Sequence, residues 1–219
     1  MRHARTLPVP AASAVFLLFV LLAAGCADPF TVGSRIVSLP WGIDLPLPAG
    51  ADTVYDKNSL YLQSRKREWC LTLSTWLSNA PLTKKVSADL LASARGLAGR
   101  LPGRRWLGGG RAWIGGGSGL RFDFEGPPGK GQGAAFFEPR AIVFHRVAVL
   151  EFDWRLYRLH FRSLKSAKRF TSAVWTNVAG GIRFTGEKRI INLSPGEELP
   201  GGDARSAVES VLRGENGLN

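Results

Sequence analysis

The sequence holds little from which a catalytic or metal site could be built. Its 219 residues include only two cysteines and three histidines, and no Gly-x-Ser-x-Gly nucleophile elbow is present. Beyond the amino-terminal leader the histidines are His145 and His160, which are not spaced like a helical ligand pair and have no cysteine with them. Glu151 and Asp153 could complete an acid–base or metal site with them. We nevertheless predict no catalytic residue, no metal ligand and no cofactor, and we favour a protein that is not an enzyme.

Acidic residues are also scarce, with 17 Asp and Glu against 29 Lys and Arg, which gives a net charge of +12. This surplus favours attraction to anionic lipid, to lipopolysaccharide, to an acidic polymer or to an acidic envelope protein. Nucleic acid fits the charge but not the export signal described next, so we predict no nucleic-acid partner. A basic solvated surface without a specific partner is the alternative explanation.

Long apolar runs are missing, and the longest covers residues 14–24. A helix that spans a membrane needs about 20 apolar residues. The run follows a positive start that contains Arg2 and Arg5. A positive start and an apolar run of about 7–15 residues form the pattern of a secretory signal peptide. We therefore predict that residues 1–25 are an export signal.

The leader ends in Leu21-Leu22-Ala23-Ala24-Gly25-Cys26, which resembles the lipobox of bacterial lipoprotein precursors. The resemblance implies that Cys26 receives diacylglycerol, that the signal is cut before it, and that acyl chains hold the protein on a membrane. Ala27 replaces the aspartate that implies inner-membrane retention, so the resemblance implies an outer-membrane address facing the periplasm. The resemblance covers about 26 residues and no fold. Ordinary signal cleavage with a free thiol and an uncleaved anchor helix are the alternatives.

Removal of residues 1–25 leaves a mature chain of 194 residues with a net charge of +10, which suits one domain. If Cys26 carries lipid, Cys70 is the remaining thiol and cannot form an internal disulfide. Its neighbours are Trp69 and Leu71, and no histidine is near it in sequence. We interpret Cys70 as a small buried hydrophobe.

The mature chain divides into three predicted segments. Residues 26–50 are the lipidated amino terminus with a Pro-rich tether, residues 51–213 are one domain, and residues 214–219 are a loose tail. Apolar residues at helical spacing predict two main helices, over residues 83–99 and 163–179. Thr83 or Ser87 can cap the first.

A shorter helix is predicted over residues 203–213, and most of the remaining domain has strand patterns. Runs of adjacent strands favour an α+β fold, in which an antiparallel sheet has the two main helices packed on one face and a short C-terminal helix.

Two glycine-rich stretches interrupt this pattern. Residues 103–119 are predicted to be a mobile loop, in which Trp113 could lie in a short strand or at an exposed binding tip. Residues 126–133 superficially resemble a phosphate-binding loop. Lys130 is misplaced for that motif, and Gln132 follows the last candidate loop glycine where Lys is needed. We interpret residues 126–133 as a hairpin turn.

The alternation of apolar residues changes phase near Leu156, which predicts a bulge or a turn there. After it, Arg158, His160 and Arg162 are predicted to face outward. The first residues of the second helix are also basic. A possible anion-binding patch therefore consists of Arg158, Arg162, Lys165, Lys168 and Arg169; a solvated surface with local ion pairs is the alternative.

Three functions follow as hypotheses. The favoured one is a membrane-anchored, non-enzymatic envelope lipoprotein that binds or scaffolds an anionic envelope component or a protein. The second is an envelope hydrolase that acts on an acidic polymer through His145 or His160 with Glu151 or Asp153. The third is an immunity-type inhibitor lipoprotein that binds a toxin through the loop at residues 108–119.

Overall fold

The computed structural model describes residues 30–32, 35–38, 42–56, 59–130, 132–184 and 201–214. The predicted signal peptide, Cys26 and residues 215–219 of the predicted tail lie outside these ranges.

A large antiparallel sheet forms the centre of the fold. Its seven main strands lie in the order β4 (Ala51–Asp56), β5 (Ser59–Ser64), β6 (Trp69–Ser78), β10 (Arg155–Leu164), β9 (Val143–Phe152), β8 (Gly117–Gly126) and β7 (Arg105–Ile114), and β12 (Gly201–Gly202) adds to β6 in parallel. A small antiparallel sheet has the order β1 (Phe30–Val32), β2 (Arg35–Ser38), β3 (Ile43–Pro46) and β11 (Arg183–Phe184). The mixed helix-and-sheet fold with a large antiparallel sheet, which the sequence predicts, is confirmed.

Among the residues that the structure describes, four helices accompany the sheets: α1 (Lys84–Arg100), α2 (Gln132–Ala135), α3 (Lys168–Gly181) and α4 (Ala204–Arg213). The hydroxyl of Thr83 accepts from the Val86 N–H and the carboxylate of Asp203 accepts from the Ser206 N–H, so α1 and α4 begin where polar caps stand. A 3-10 turn over Lys165–Ala167 precedes α3. Within the ranges that the structure describes, no helix is long and apolar enough to cross a membrane.

Two tight turns join the long strands at the same end of the large sheet. Gly115 and Gly116 connect β7 to β8, and Asp153 and Trp154 connect β9 to β10. All four residues have positive φ, as a two-residue type I′ hairpin requires. The second turn confirms the predicted phase change near Leu156. We call this end of the sheet the upper end, and the opposite end the lower end.

The glycine-rich stretch 103–119 is not a loop, and its prediction is corrected. It forms all of β7, the turn and the start of β8, because the ladder needs only backbone groups and the paired glycines can supply them. Residues 126–133 are likewise not a hairpin turn. They begin the long connection over residues 127–142, which contains α2 and buries Phe137 against the sheet.

The helices cover both faces of the large sheet. Trp175 and Val178 of α3 pack in a cluster with Leu150 and Leu159 of the sheet, on what we call the α3 face. Leu90 of α1 and residues of α4 pack in a second cluster on the other side, which we call the α1 face. The two clusters contain neighbouring strand residues, such as Leu150 and Val149, and neighbouring residues of a strand point to opposite faces. The two main helices therefore lie on opposite faces, and the prediction that both pack on one face is wrong.

The small sheet lies on the α3 face and is part of the core. Ile36, Ile43 and Leu45 are at most 1% exposed and join the same cluster as α3. Full burial of each such side chain contributes about 1.5–3 kcal/mol relative to exposure. Residues 35–38 and 42–46 therefore belong to the domain, and the predicted tether is corrected for these residues.

The close contact between β8 and β9 at Gly119 gives a test of this packing. A methyl group on Gly119 would collide with the Val149 carbonyl oxygen and lie 3.0 Å from the Leu150 Cα. We expect Gly119→Ala to lower the free energy of unfolding by about 1–3 kcal/mol, because backbone atoms cannot move aside. Urea denaturation measures the change.

The matched control is Gly96→Ala on α1, where an added methyl group meets nothing within 4 Å. We expect it to raise stability by about 0.5–1 kcal/mol, because alanine loses less backbone entropy in a helix. Equal stability of the two variants would contradict the described strand packing.

Candidate functional site

The five cations of the predicted patch do not lie on one surface. Arg158 and Arg162 are 2% and 1% exposed and point to the α1 face of β10. Lys165 instead lies 3.2 Å from the carboxylate of Glu125. The Lys168 ammonium lies over an aromatic ring on the α3 face, and Arg169 is exposed. The arrangement of the patch that the sequence predicts is therefore wrong.

The predicted outward direction of Arg158, His160 and Arg162 is wrong for a physical reason. Strand β10 lies between β6 and β9, and both of its faces are covered. Alternation separates the residues of a strand into two faces but does not tell whether the polar face meets water. Here that face carries a buried polar cluster.

Two histidines form the centre of this cluster. The Nε2–H of His145 donates to the carbonyl oxygen of Pro127 at 3.0 Å. In a neutral ring, Nδ1 of His145 is then an acceptor, and it receives the Nε2–H of His160 at 3.0 Å. The pair therefore suits two neutral imidazoles and links the long connection at Pro127 to the central strands.

Arg162 lies beside the histidines. Its Nη2 donates to the Thr72 hydroxyl at 2.7 Å, and its guanidinium packs so closely on Gly133 that a side chain there would collide with it. Its Nε and Nη1 have no hydrogen-bond partner among the residues that the structure describes. This leaves a buried positive charge with few compensating groups.

Arg158 connects the sheet to the C-terminal helix. Its Nη1 donates to the Ser210 hydroxyl of α4 at 2.9 Å, and its guanidinium carbon lies 4.9 Å from the ring centre of Trp76. Burial lowers the pKa of Arg158 to about 10, so the group remains charged at neutral pH. It is an interior structural contact of α4.

The positive interior changes the acid–base properties of its neighbours. Burial, followed by the charge of Arg162, holds the pKa of His145 and of His160 well below the usual range. Burial also raises the pKa of the Cys70 thiol, against the opposing charge of Arg162. The histidines are therefore neutral at pH 7. Cys70 is buried, as the sequence predicts, and its thiol is protonated.

The histidines and the two nearby carboxylates are not brought together. Glu151 follows His145 by six residues on the same strand, about 20 Å away, and its carboxylate accepts from the Leu82 N–H at the upper end. Asp153 lies in the upper turn. Within the described ranges, no group of three or more His, Cys, Asp or Glu side chains could hold a metal ion.

A groove on the α3 face, near the upper end, is the candidate binding site. Its volume is about 460 Å³. It lies between the second half of α3 and the strands at the β7 edge of the sheet. Its lining consists of Arg111, Ala112, Trp113, Ile114, Arg121, Arg146, Trp175, Thr176, Ala179 and Gly180.

The groove carries a positive charge that its own residues do not neutralise. Arg146 is neutralised, since its Nε and Nη2 donate to the Asp123 carboxylate at 3.0 and 2.7 Å. It also lies over the ring of Trp175. Arg111 and Arg121 are exposed, and within the described part of the chain neither is in an ion pair.

The end of α3 opposes this charge only weakly. Carbonyl groups at a helix C-terminus carry about half a negative elementary charge, and Thr176, Ala179 and Gly180 bring this end to the groove. Arg35 already donates to the Gly181 carbonyl at 2.7 Å. Arg111 and Arg121, which have no ion pair within the described ranges, therefore leave the groove positive and suited to an anion.

The sequence analysis singled out Trp113 as a candidate tip but missed Arg111, Arg121 and Trp175. Trp113 is 73% exposed, which agrees with the binding-tip alternative, while Trp175 is 5% exposed and lies deeper. A signal was available: a two-residue turn at Gly115-Gly116 places Arg111 opposite Leu120, next to Arg121. The assumption of a loop concealed this pairing.

Comparison with known proteins gives no family. No model of a protein family and no curated protein matches the chain. Cyanobacterial PsbP from Synechocystis is similar at 10% identity and a TM-score of 0.45, over 74% of this chain and 99% of that one. A crystal structure of a protein from Bacteroides thetaiotaomicron is similar at 12% identity and a TM-score of 0.49, over 72% of this chain and 50% of that one. LpqN, involved in cell envelope biogenesis of Mycobacterium tuberculosis, is similar at 16% identity and a TM-score of 0.40, over 65% of this chain and 83% of that one. Similarity of this degree says nothing about function.

The buried histidine pair predicts loss of stability in acid. The pKa values of His145 and His160 are depressed in the folded protein, so below about pH 6.5 the unfolded chain binds more protons. Above that pH we expect the free energy of unfolding to keep its maximum value. Below it, the free energy of unfolding should fall by about 1.4 kcal/mol per pH unit for each histidine, until the pKa of that histidine in the folded state is reached.

Urea titrations between pH 5 and 7.5 measure this slope. Carboxylates also contribute to it, so the comparison is with the variant carrying His145→Gln and His160→Gln, in which this part of the slope should vanish. An unchanged slope in the double variant would show that the histidines are not neutral in the fold.

Proposed function

We propose that this chain is an exported, lipid-anchored envelope protein that binds an anionic ligand in the groove and is not an enzyme. The address we propose is the outer membrane, with the domain in the periplasm. The observation that carries the binding proposal is the pair Arg111 and Arg121, which have no ion pair within the described ranges and share a groove with two tryptophans.

Charge is the first argument for an anion. Arg111 and Arg121 both line the groove. Arg121 shares the α3 face with Ala148, whereas Arg111 lines the groove from the edge strand β7, where its register partner Leu120 belongs to the α1 face. Guanidinium groups offer paired donors that match phosphate and carboxylate oxygens. The fixed Arg146–Asp123 pair beside them leaves these two arginines as the available donors.

The size of the groove and its aromatic lining restrict the class of ligand further. A groove of about 460 Å³ falls within the range of small-molecule sites. Trp175 and the exposed Trp113 also line the groove, and an indole ring can offer an apolar face to a ligand. We therefore propose a ligand that combines an anionic group with a ring of sugar size, such as a phosphorylated sugar of an envelope component.

The proposal that the protein is not an enzyme draws support from the position of the histidines. His145 and His160 are 1% and 6% exposed and lie on the α1 face, on the other side of the sheet from the groove. A polymer bound in the groove could not reach them. The hydrolase alternative would need catalytic groups other than the four that the sequence suggested.

One observation favours the inhibitor alternative as a second candidate function. Strand β7 is the edge of the large sheet over the described residues, and Leu107 and Trp113 on it are exposed. An edge strand offers unpaired backbone groups to which a strand of another protein can add. A toxin would then bind by backbone pairing rather than through a loop.

The groove is tested with phosphorylated glucose as the probe. We expect Arg111→Gln with Arg121→Gln to weaken its binding by about 2 kcal/mol, or roughly thirtyfold, because each exposed charge-assisted contact contributes about 1 kcal/mol. Isothermal titration calorimetry measures the affinity. Surface substitutions of this kind change stability by less than about 0.5 kcal/mol.

Two controls accompany this measurement. Arg95→Gln with Arg100→Gln removes the same charge from exposed positions on α1 and should leave binding unchanged. Unphosphorylated glucose should bind more weakly than the phosphorylated form to the unaltered protein. Equal loss in both double variants would mean that net charge, and not the groove, attracts the ligand.

The anchor is tested by the mass of the amino-terminal tryptic peptide, which ends at Arg35, from protein in its own host's membranes. We expect a peptide that begins at Cys26 and carries added acyl mass. Cys26→Ser should release the protein from the membrane with its fold intact. An unmodified peptide, or one that continues through Gly25, would overturn the lipoprotein proposal.

A further inference from the structure

Three exposed apolar side chains gather at the upper end of the large sheet. Trp154 occupies the β9–β10 turn and is 68% exposed, and Leu77 lies opposite Arg155 and is 43% exposed. Trp113, 73% exposed, lies beside the β7–β8 turn. By contrast, three other tryptophans are at most 5% exposed: Trp69, Trp76 and Trp175.

The register of the strands shows that these positions share one end. Trp113 is opposite Ser118, and Ser118 is opposite Glu151, one residue before the end of β9. The turn that follows holds Trp154 and leads into Arg155. Exposed tryptophans on adjacent turns are an arrangement suited to the membrane–water interface, where one part of the ring is apolar and the other is wet.

The amino-terminal strands reach the same end. Phe184 of β11 pairs with Ile43 and donates its N–H to the Gly115 carbonyl at the β7–β8 turn. From there the pairing runs across the small sheet, from Arg183 to Asp44, then to Val37, and finally to Phe30. Three strand spacings make this about 14 Å.

The direction of β1 fixes where the chain comes from. Phe30 lies level with Arg183, next to the Phe184 contact with the β7–β8 turn, and Val32 lies two residues further from that contact, so β1 runs away from it. Phe30 is therefore the end of β1 that lies nearer to the β7–β8 turn. Only four residue steps separate Cys26 from Phe30, and they reach at most about 14 Å. An acylated Cys26 would hold the upper end at the bilayer.

Charge at this end complements an anionic surface. Lys84 and Lys85 begin α1 next to the end of β6, and Arg183 is exposed on β11. Cations at a helix N-terminus oppose the helix dipole, so the two lysines do not stabilise α1 by this interaction. The carboxylate of Glu151 is engaged with a backbone N–H of the same region. These three cations exceed the two carboxylates of this end, Glu151 and Asp153, by one charge, which anionic lipid head groups would compensate.

We infer that the upper end is a membrane-docking surface, in which Trp113 and Trp154 enter the interface of an anionic bilayer. The inference rests on the proposed lipid anchor for the orientation of the domain, but its contacts are made by other residues. The occupant is the lipid bilayer itself. The groove, which Trp113 also lines, then opens next to the lipid head groups.

The test uses the full chain with vesicles of phosphatidylethanolamine and phosphatidylglycerol whose acyl chains carry bromine, which quenches tryptophan at short range. We expect quenching of the unaltered protein. Most of it should be lost when Trp113→Phe and Trp154→Phe are combined, because phenylalanine keeps the docking but removes the reporters. Trp106→Phe is the control, since Trp106 lies toward the lower end and stacks on Phe122.

The outcomes separate docking from anchoring, because the mass of the amino-terminal peptide is measured on the same protein. An acylated Cys26 without quenching of Trp113 and Trp154 would overturn the docking surface and leave the anchor. Quenching without acylation would support docking and overturn the anchor. Absence of both would overturn both, and equal quenching in the double variant and the control would mean that another surface meets the bilayer.

Discussion

The burial of strand β10 on both faces is the constraint on which the rest of the structure depends. Its apolar residues Tyr157, Leu159 and Phe161 meet α3 and the small sheet, while Arg158, His160 and Arg162 meet the connection over residues 127–142 and α4. A sheet that places charge on an inner face must supply donors, acceptors or neighbours for it. Thr72, Ser210 and the histidine pair do so in part, and their positions hold α4 and the long connection against the sheet.

This arrangement gives the two faces different chemistry. The α1 face keeps its positive charge inside, where solvent and ligands do not reach it. The groove on the α3 face exposes charge instead: there Arg146 is neutralised by Asp123, while Arg111 and Arg121 have no ion pair among the residues that the structure describes. The positive charges of the chain therefore do not all lie on its surface. Part of it maintains the interior, and a separate part is available for binding.

Sequence patterns predicted the local features well, because their causes are local. The Thr83 cap, the start of the last helix near Asp203 and the phase change before Leu156 each depend on a few neighbouring residues. The features that failed depend on distant contacts. Alternation along β10 could not reveal a second covering layer, and glycine composition could not distinguish a loop from paired edge strands.

The candidate site was hidden for the same reason. Arg111 and Arg121 come together only when the glycine stretch pairs as a hairpin, and Trp175 joins them only when α3 packs on that face. Each residue alone resembles an ordinary basic or apolar position. The proline-rich segment illustrates the opposite error, since its composition suggested a tether while Ile36, Ile43 and Leu45 are fully packed.

Helix α4 runs from the upper end of the large sheet to the lower end. It begins beside Gly202, which pairs with the upper end of β6, and ends at Gly214, whose carbonyl accepts from the Lys130 N–H beyond the lower end of β8. The described chain thus enters at one end of the sheet and leaves α4 at the other. A label or a second protein joined after Gly214 would begin on the side that faces away from the proposed bilayer, which makes this the natural point from which to capture the protein together with its membrane.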